Sequence, residues 1–277
     1  AMMFSAGMGI GLVFWSVAEP ILHFQNPPTG DGGTPAAARQ AMIYTFFHWG
    51  LHAWAVYVVL GLSVAYFSYR HRLPLTIRSI FYPLLGDRIY GPIGHLIDVL
   101  AVFGTLFGLA TSLGFGAMQL NTGLNLLTGM PVSQWSQVGI IGGITTIAVL
   151  SVISGLDRGL KWLSVFNLGL AVLILLFVLA LGPTLFLVRF LLDATGGYLA
   201  QLVELSLSTD PMGGSEWQKS WTIFYWMWWI AWSPFVGIFI ARISHGWTIR
   251  EFRAASPGRH YLGARDTAHC NLFRYVF

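Results

Sequence analysis

Six long runs of apolar residues dominate the chain, and short polar stretches separate them. A helix needs about 20 mostly apolar residues to cross a lipid bilayer, and each run is close to that length or longer. Strand-like alternation between hairpin turns is not evident. The pattern therefore predicts an all-α membrane protein. The six predicted transmembrane segments, named A to F in chain order, are residues 1–18, 42–67, 92–118, 137–155, 160–188 and 219–243.

Three regions fall outside the predicted segments. The loop between A and B is rich in Pro and Gly, which is typical of irregular backbone. Residues 189–207 have the pattern of an amphipathic helix that lies on the outer surface of the membrane. Residues 254–277 are polar without periodicity, and we predict no structure there. We therefore expect a transmembrane region over 1–253 and a separate polar tail.

The positive charges indicate the orientation of the segments. Twelve of the fifteen Lys and Arg residues follow segments B, D and F, whereas the other connections carry only three of them, together with six acids. Loops rich in Lys and Arg remain in the cytoplasm. Segment A is therefore predicted to run from the inside to the outside. The twelve are Arg70, Arg72, Arg78, Arg88, Arg158, Lys161, Arg242, Arg250, Arg253, Arg259, Arg265 and Arg274.

The amino-acid composition and the motifs argue against several classes of function. Only 9% of the residues are charged, compared with about 25% in soluble domains, and the formal net charge of +4 is too small and scattered to indicate nucleic-acid binding. One cysteine excludes a disulfide scaffold. We find neither a nucleophile–base pair nor an HExxH motif, so we predict that the protein is not an enzyme. Aromatic residues reach 15%, and 32 glycines point to close helix packing or broken helices.

Segment A contains three closely spaced glycines, Gly7, Gly9 and Gly11. Each costs a helix about 1 kcal/mol relative to Ala. One interpretation is an unwound stretch whose carbonyls face a cation or a ligand; the other is close packing of two helices through small residues.

Two segments carry clusters of large aromatic residues. In segment F, five of them lie on one stripe of the helix within an arc of about 100°, and some lie too deep for an interfacial belt. Indole faces attract cations, so the stripe favours a box for a quaternary ammonium group. The segment B cluster permits the same interpretation, or lipid contact and packing. Ser233, Pro234 and Gly237 predict a break in F beside the box. The aromatic residues are Trp49, Trp54 and Tyr57 in B, and Trp221, Tyr225, Trp228, Trp229 and Trp232 in F.

Other candidates are less specific. His48 and His52 have the i, i+4 spacing of metal ligands, but no acid or third ligand is near them in the sequence, so we interpret them as core or interface residues. Asp98 lies inside segment C, either as a functional group or as a partner of a neighbouring helix. Hydroxyl groups in the same segment, Thr105, Thr111 and Ser112, either ligate a cation or bond back to their own helix.

These segments together resemble the betaine/choline/carnitine transporter family. The resemblance runs from residue 1 to about Phe252, and the motif in segment F is highly specific. It rests on five stretches: GMGIGLVFWSVAEPILH, FHWGLHAWAVY, FGLATSLGFG, SGLDRG and WTIFYWMWWIAWSPFVGIFIARIS.

The resemblance implies an inverted-repeat transporter fold. Members have twelve transmembrane helices, and the last ten form two inverted five-helix repeats. Segments A to E resemble helices three to seven, the whole first repeat, and F resembles helix eight, which opens the second. We therefore expect a fragment of a longer transporter, with A and F as corresponding, interrupted helices around the substrate.

The resemblance also implies the site residues. The substrate would contact the glycines of segment A and an aromatic box of Trp49, Trp54, Tyr57, Trp228, Trp229 and Trp232. Backbone carbonyls near Ala6 and Met8 resemble sodium ligands. Thr105 matches one threonine of a second sodium site, but Leu109 replaces the other.

The function expected from the resemblance is uptake of a quaternary-ammonium solute, glycine betaine or choline, driven by an ion gradient. The protein would cross the bacterial inner membrane several times, with a homotrimer as the assembly and sodium as a coupling ion in place of any organic cofactor. The alternative is a membrane binding protein or osmosensor that holds the same ligand without transport.

Overall fold

The structure, a computed structural model, describes the backbone of residues 2–153, 159–210 and 216–249. It describes the side chains of 14–150, 153, 165–210 and 216–249. Within these ranges the chain is helical and contains no strand, which confirms the all-α prediction. The helices are α1 (Met2–Gln25), α2 (Pro35–Trp49), α3 (Leu51–Ala65), α4 (Tyr82–Leu85), α5 (Pro92–Thr128), α6 (Gln134–Ile153), α7 (Gly159–Leu181), α8 (Thr184–Ala200), α9 (Leu202–Leu207), α10 (Glu216–Gln218) and α11 (Phe224–Ile243).

Shorter helical turns join some of these helices. π-Helical turns at Tyr66–Arg70 and Lys219–Ile223 extend α3 and precede α11, and 3-10 turns at Ile77–Phe81 and Gly86–Tyr90 flank α4. Residues 254–277, the predicted polar tail, lie outside the described residues.

Membrane-length helices coincide with three of the predicted segments. Pro35–Arg70, Pro92–Thr128 and Glu216–Ile243 are long and apolar enough to cross a bilayer, as predicted for B, C and F. Segment E differs from the prediction, because Val165–Leu181 and Thr184–Ala200 are bent by 113° at a short break. If this pair is counted as one broken span, the described part of the chain has four candidate membrane spans. Pro183 lies in the break, and its missing N–H ends the regular helix there.

Local sequence signals explain where the helices begin and end. Thr34 caps α2, because its hydroxyl accepts a hydrogen bond from the Ala37 N–H at 3.1 Å, and Pro35 occupies the first turn. Helix α5 ends at Gly129, whose φ of 76° favours glycine.

The predicted interruption of segment F is wrong, because α11 is continuous through Pro234. Pro234 has no N–H for the carbonyl of Ile230, four residues earlier. The Ser233 hydroxyl donates to that carbonyl at 2.7 Å instead. A local side-chain hydrogen bond thus replaces the lost backbone bond, which is how membrane helices tolerate proline.

Unwinding of segment A is also not observed, since α1 runs without a break through the three glycines. Glycine costs a helix about 1 kcal/mol per residue, whereas each backbone group left unpaired in hydrocarbon costs several kcal/mol. The helical backbone therefore has the lower free energy here.

The chain divides into two compact units. Unit 1 contains the described residues of Ala1–Gly7, Ala53–Val149 and Met227–Phe277, and unit 2 contains those of Met8–His52 and Leu150–Trp226. In unit 1, α3 and α11 approach closely where Gly61 faces Gly237: a Cβ on Gly61 would lie 3.3 Å from the Gly237 carbonyl oxygen. In unit 2, α2 packs on α8, where Ile43 fills the space above Gly197.

Asp98 has a structural partner in unit 1. Its carboxylate accepts a hydrogen bond from the Arg78 backbone N–H at 3.1 Å and forms an ion pair with the Arg78 side chain at 3.2 Å. These contacts fasten the 3-10 turn Ile77–Phe81 to α5. Of the two interpretations of Asp98, the structure therefore shows the one in which it is a partner of a neighbouring element.

Large apolar side chains cover the surface of α7. Leu173 and Phe177, for example, are each 62% exposed. Such a surface is unfavourable in water and suits lipid contact, in agreement with the predicted membrane protein.

Candidate functional site

An aromatic cluster lies in unit 1, and we call it the tryptophan cluster. Trp228 and Trp229 are stacked at 5.2 Å with an angle of 10° between their rings, and Tyr57 meets Trp229 edge-on at 6.2 Å. Trp54 contacts Tyr57 at 6.1 Å. The cluster is otherwise buried, but Trp54 is 38% exposed. Its members are Trp54, Tyr57, Trp228, Trp229 and Trp232.

Contacts with α5 hold Trp232. Its indole N–H donates to the Ser112 hydroxyl at 3.2 Å. The ring lies against Gly108, where a Cβ atom would come within 2.9 Å of the indole Cδ1. Glycine is therefore required at position 108 for this close approach. Five of the six residues predicted for the box thus share one unit.

The sixth predicted box residue, Trp49, lies in unit 2, as do Trp221 and Tyr225 of the segment F stripe. The division falls between Trp226 and Met227, part-way along the stripe. Of the glycines in segment A, Gly7 belongs to unit 1 and Gly9 and Gly11 to unit 2.

Unit 2 contains a second cluster, which is built around the fully buried carboxylate of Glu19. Oε1 faces His48 Nδ1 at 2.6 Å and His23 Nε2 at 3.1 Å. Oε2 accepts from the Trp49 indole N–H at 2.6 Å and from the Tyr225 hydroxyl at 2.5 Å. Each oxygen therefore has two partners, which suits an ionised carboxylate. We call Glu19, His23 and His48 the Glu19 centre.

Aromatic rings enclose the Glu19 centre. The ring of His48 stacks on Tyr225 at 4.7 Å. His23 lies 4.5 Å from Trp221 and 4.9 Å from Trp217. The segment F stripe therefore serves two purposes, since its first members enclose a charged group in unit 2 and its later members form the tryptophan cluster in unit 1.

His48 is fully buried, which agrees with its interpretation as a core residue. The acid and the third ligand that its sequence neighbours do not offer come from α1, because Glu19 and His23 contact it. Residues 19 and 23 have the i, i+4 spacing of one helix face and could have been noticed, but they lie just beyond the predicted end of segment A. His52, the other half of the sequence pair, contacts Tyr198 and Ser206 instead, at 3.1 and 2.7 Å.

The structure describes only part of the predicted sodium ligands. The side chains of Ala6 and Met8 lie outside the described ones, and their backbone is helical. The Thr105 hydroxyl donates to the Ala101 carbonyl of its own helix at 2.9 Å. The Thr111 hydroxyl likewise donates to the Phe107 carbonyl. Bonding to the same helix, one of the two interpretations of these hydroxyls, is thus observed for both.

Comparison with known proteins identifies the family. The profile of the betaine/carnitine/choline family transporters (BCCT) matches residues 1–257. The chain belongs to this family. Its members are multi-pass transporters of the inner membrane and not enzymes, which confirms the predicted class and location.

Three curated relatives illustrate the match. An uncharacterised transporter of Mycobacterium bovis is 55% identical over 259 residues, which are 92% of this chain and 44% of the relative. The glycine betaine transporter OpuD of Bacillus subtilis is 52% identical, over 91% of this chain and 50% of the relative. The high-affinity choline transport protein of Escherichia coli is 50% identical, over 91% and 37%. The chain therefore spans half or less of the length of these relatives.

Proposed function

We propose that the chain takes up a quaternary-ammonium solute, glycine betaine or choline, as a secondary transporter driven by an ion gradient. The observation that carries this proposal is the identity of 50–52% with relatives named as betaine and choline transporters, over nine-tenths of the chain.

The tryptophan cluster supports the choice of solute. A trimethylammonium group has no N–H to donate, so hydrogen bonds cannot hold its cationic end, whereas the faces of indole rings attract it. Trp228, Trp229 and Trp232 are held in place by stacking and by the bond to Ser112. Rings fixed in this way lose little rotamer entropy when a ligand binds. Participation of Trp49 and of the glycines remains a prediction from the family.

Uptake by proteoliposomes tests the proposal directly. The protein, with the chain completed to the length of its relatives, is reconstituted, and entry of radiolabelled glycine betaine and choline is followed under an inward sodium gradient, under a proton gradient and without either. We expect saturable uptake above that of empty liposomes, and Trp229→Leu should reduce it. A neutral analogue of choline, 3,3-dimethylbutanol, should compete poorly, because it lacks the charge that the rings recognise.

Two results would contradict the proposal. Saturable binding of the solute without uptake under any gradient would favour the alternative, a binding protein or osmosensor. Equal competition by the neutral analogue would show that the rings recognise shape rather than charge.

For the coupling ion, we propose at most one sodium per solute, or a proton gradient. Sodium needs several oxygen ligands, and Leu109 offers none where the family pattern has a threonine. Uptake should therefore depend on external sodium with a Hill coefficient of about one, or not at all. Leu109→Thr should steepen the dependence if the rest of that site is intact. A coefficient approaching two in the unaltered protein would contradict this inference.

A further inference from the structure

We propose that the Glu19 centre is a binding site for a divalent transition-metal ion such as Zn²⁺. Glu19, His23 and His48 each offer one ligand atom, and these three atoms all lie within 4.8 Å of one another. One carboxylate and two imidazoles are a common zinc ligand set, and this set leaves a fourth coordination position open.

The spacing of the ligand atoms suits a shared ion. Zinc binds nitrogen and oxygen at about 2.0–2.2 Å, so two ligands of a tetrahedral site are separated by about 3.3 Å. Oε1 lies 3.1 Å from the His23 nitrogen and 2.6 Å from the His48 nitrogen. A movement of less than about 1 Å in each ligand would admit the ion at the bond lengths that zinc requires.

Outer contacts of the kind that metal ligands require are present. His48 Nε2 lies 3.0 Å from the Thr222 hydroxyl, and its N–H can donate a hydrogen bond to that oxygen when Nδ1 binds the metal. The second oxygen of Glu19 is held by Trp49 and Tyr225. These contacts orient two of the three ligands.

Both imidazoles can offer a nitrogen lone pair to the metal without losing a proton from the site, because each ring can change its tautomer. The hydrogen on His48 Nδ1 moves to Nε2, and the hydrogen on His23 Nε2 moves to Nδ1. His23 Nδ1 has no hydrogen-bond partner among the described atoms, so it is available to carry this hydrogen. The two rings remain neutral, and no co-reactant is needed.

Charge also favours a cation here. The carboxylate is fully buried, and the ion pairs of the described residues give it only histidine partners. Hydrogen bonds compensate a buried anion only in part, and a divalent cation would supply the opposite charge.

A Co²⁺ titration of the purified chain tests the proposal. The chain is freed of metal with EDTA, placed in lipid nanodiscs and titrated while visible absorption is recorded. Cys270→Ser is the background, so that no thiolate contributes. We expect one Co²⁺ per chain, with the intense absorption of a four-coordinate ion, and displacement by Zn²⁺.

Variants assign the site. Glu19→Gln, His23→Gln and His48→Gln should each abolish the absorption. Trp49→Phe, which removes only an outer contact, should weaken binding by about 10- to 100-fold. His52→Gln is the matched control, because this histidine lies in the same unit but bonds to Tyr198 and Ser206, and it should bind like the background protein.

The proposal is overturned if Co²⁺ retains the weak spectrum of the hydrated ion, or if His52→Gln loses as much binding as His48→Gln. Should a ligand variant fail to fold, X-ray absorption of the zinc-loaded background protein still decides, because it must show two imidazoles and one carboxylate. Metal binding is measured without solute or uptake, so its failure would leave the proposed transport unaffected.

Discussion

The two aromatic clusters use the same residue types in opposite ways. In unit 1, Trp228 stacks on Trp229, and Tyr57 meets Trp229 edge-on. In unit 2, the aromatic rings surround Glu19, and two of their polar groups donate to its carboxylate. Aromatic side chains join a large apolar body to a polar group, and the clusters differ in its acceptor: the Ser112 hydroxyl for Trp232, and the Glu19 carboxylate for Trp49. The stability of the tryptophan cluster should therefore depend on the packing of its rings, and that of the Glu19 centre on its charge.

The largest expected effect is the loss of the charged group. Glu19→Leu leaves donors on His23, His48, Trp49 and Tyr225 without their acceptor. Removing one partner of a buried ionic network typically costs about 3–5 kcal/mol. Thermal unfolding of the chain in detergent, followed by circular dichroism, should show a strongly lowered midpoint.

Glu19→Gln is the matched variant. It keeps the shape and one acceptor oxygen, so its midpoint should fall between those of the other two proteins. Equal unfolding midpoints for the unaltered protein and Glu19→Leu would mean that the carboxylate does not stabilise unit 2.

The next effect concerns the tryptophan cluster. Trp229→Leu keeps apolar bulk but removes the indole face. A desolvated cation–π contact is worth about 2 kcal/mol, or about thirtyfold in affinity. Calorimetric titration with glycine betaine or choline in nanodiscs should show this loss. Trp229→Phe retains a ring and should lose less, and an unchanged affinity in the Leu variant would assign Trp229 to packing alone.

A smaller effect is expected where α5 meets Trp232. Gly108→Ala would bring a methyl group to 2.9 Å from the indole, and overpacking of this kind costs about 1–3 kcal/mol. Gly114→Ala, on the same helix, has open space and should gain up to about 1 kcal/mol from helix propensity. Opposite shifts of the unfolding midpoint are expected, and shifts of the same sign would contradict the packing of Trp232.

The smallest effect separates two adjacent hydroxyls on α5. Ser112→Ala leaves the Trp232 indole N–H without its acceptor, at a cost of about 1 kcal/mol. Thr111→Val affects an exposed hydroxyl that bonds only to its own helix, so a change within about 0.5 kcal/mol is expected. Chemical unfolding of both variants measures the difference. If Thr111→Val proves the more harmful, the hydroxyl bonded to Trp232 is not the one that matters.

Hydropathy alone was sufficient to predict three of the membrane-length helices. Segments B, C and F coincide with membrane-length helices, because spanning a bilayer demands apolar residues over a fixed length. The aromatic motif of segment F likewise indicated the family, which the match over residues 1–257 shows. Composition and motif are properties of the chain itself, and they need no knowledge of contacts.

Helix breaks were predicted less well, because local propensity is only one contribution. Proline and glycine weaken a helix in isolation, yet α11 is continuous, since Ser233 satisfies the carbonyl that Pro234 leaves free. In hydrocarbon the cost of an unpaired backbone group exceeds the propensity of any single residue. The breaks expected at Pro234 and at the glycines of segment A are therefore absent for a physical reason, whereas Pro183 does end a helix.

The Glu19 centre was decided by tertiary structure alone. Glu19 and His48 are 29 residues apart, and Thr222 is another 174 residues along the chain. The sequence shows which residues can donate or accept hydrogen bonds, but not which of them meet. Which side chains come into contact depends on how α1, α2 and the start of α11 pack within unit 2. A buried carboxylate is stable only where enough hydrogen-bond donors converge on it. The sequence thus determined the helices and the family, and packing determined where the charge lies.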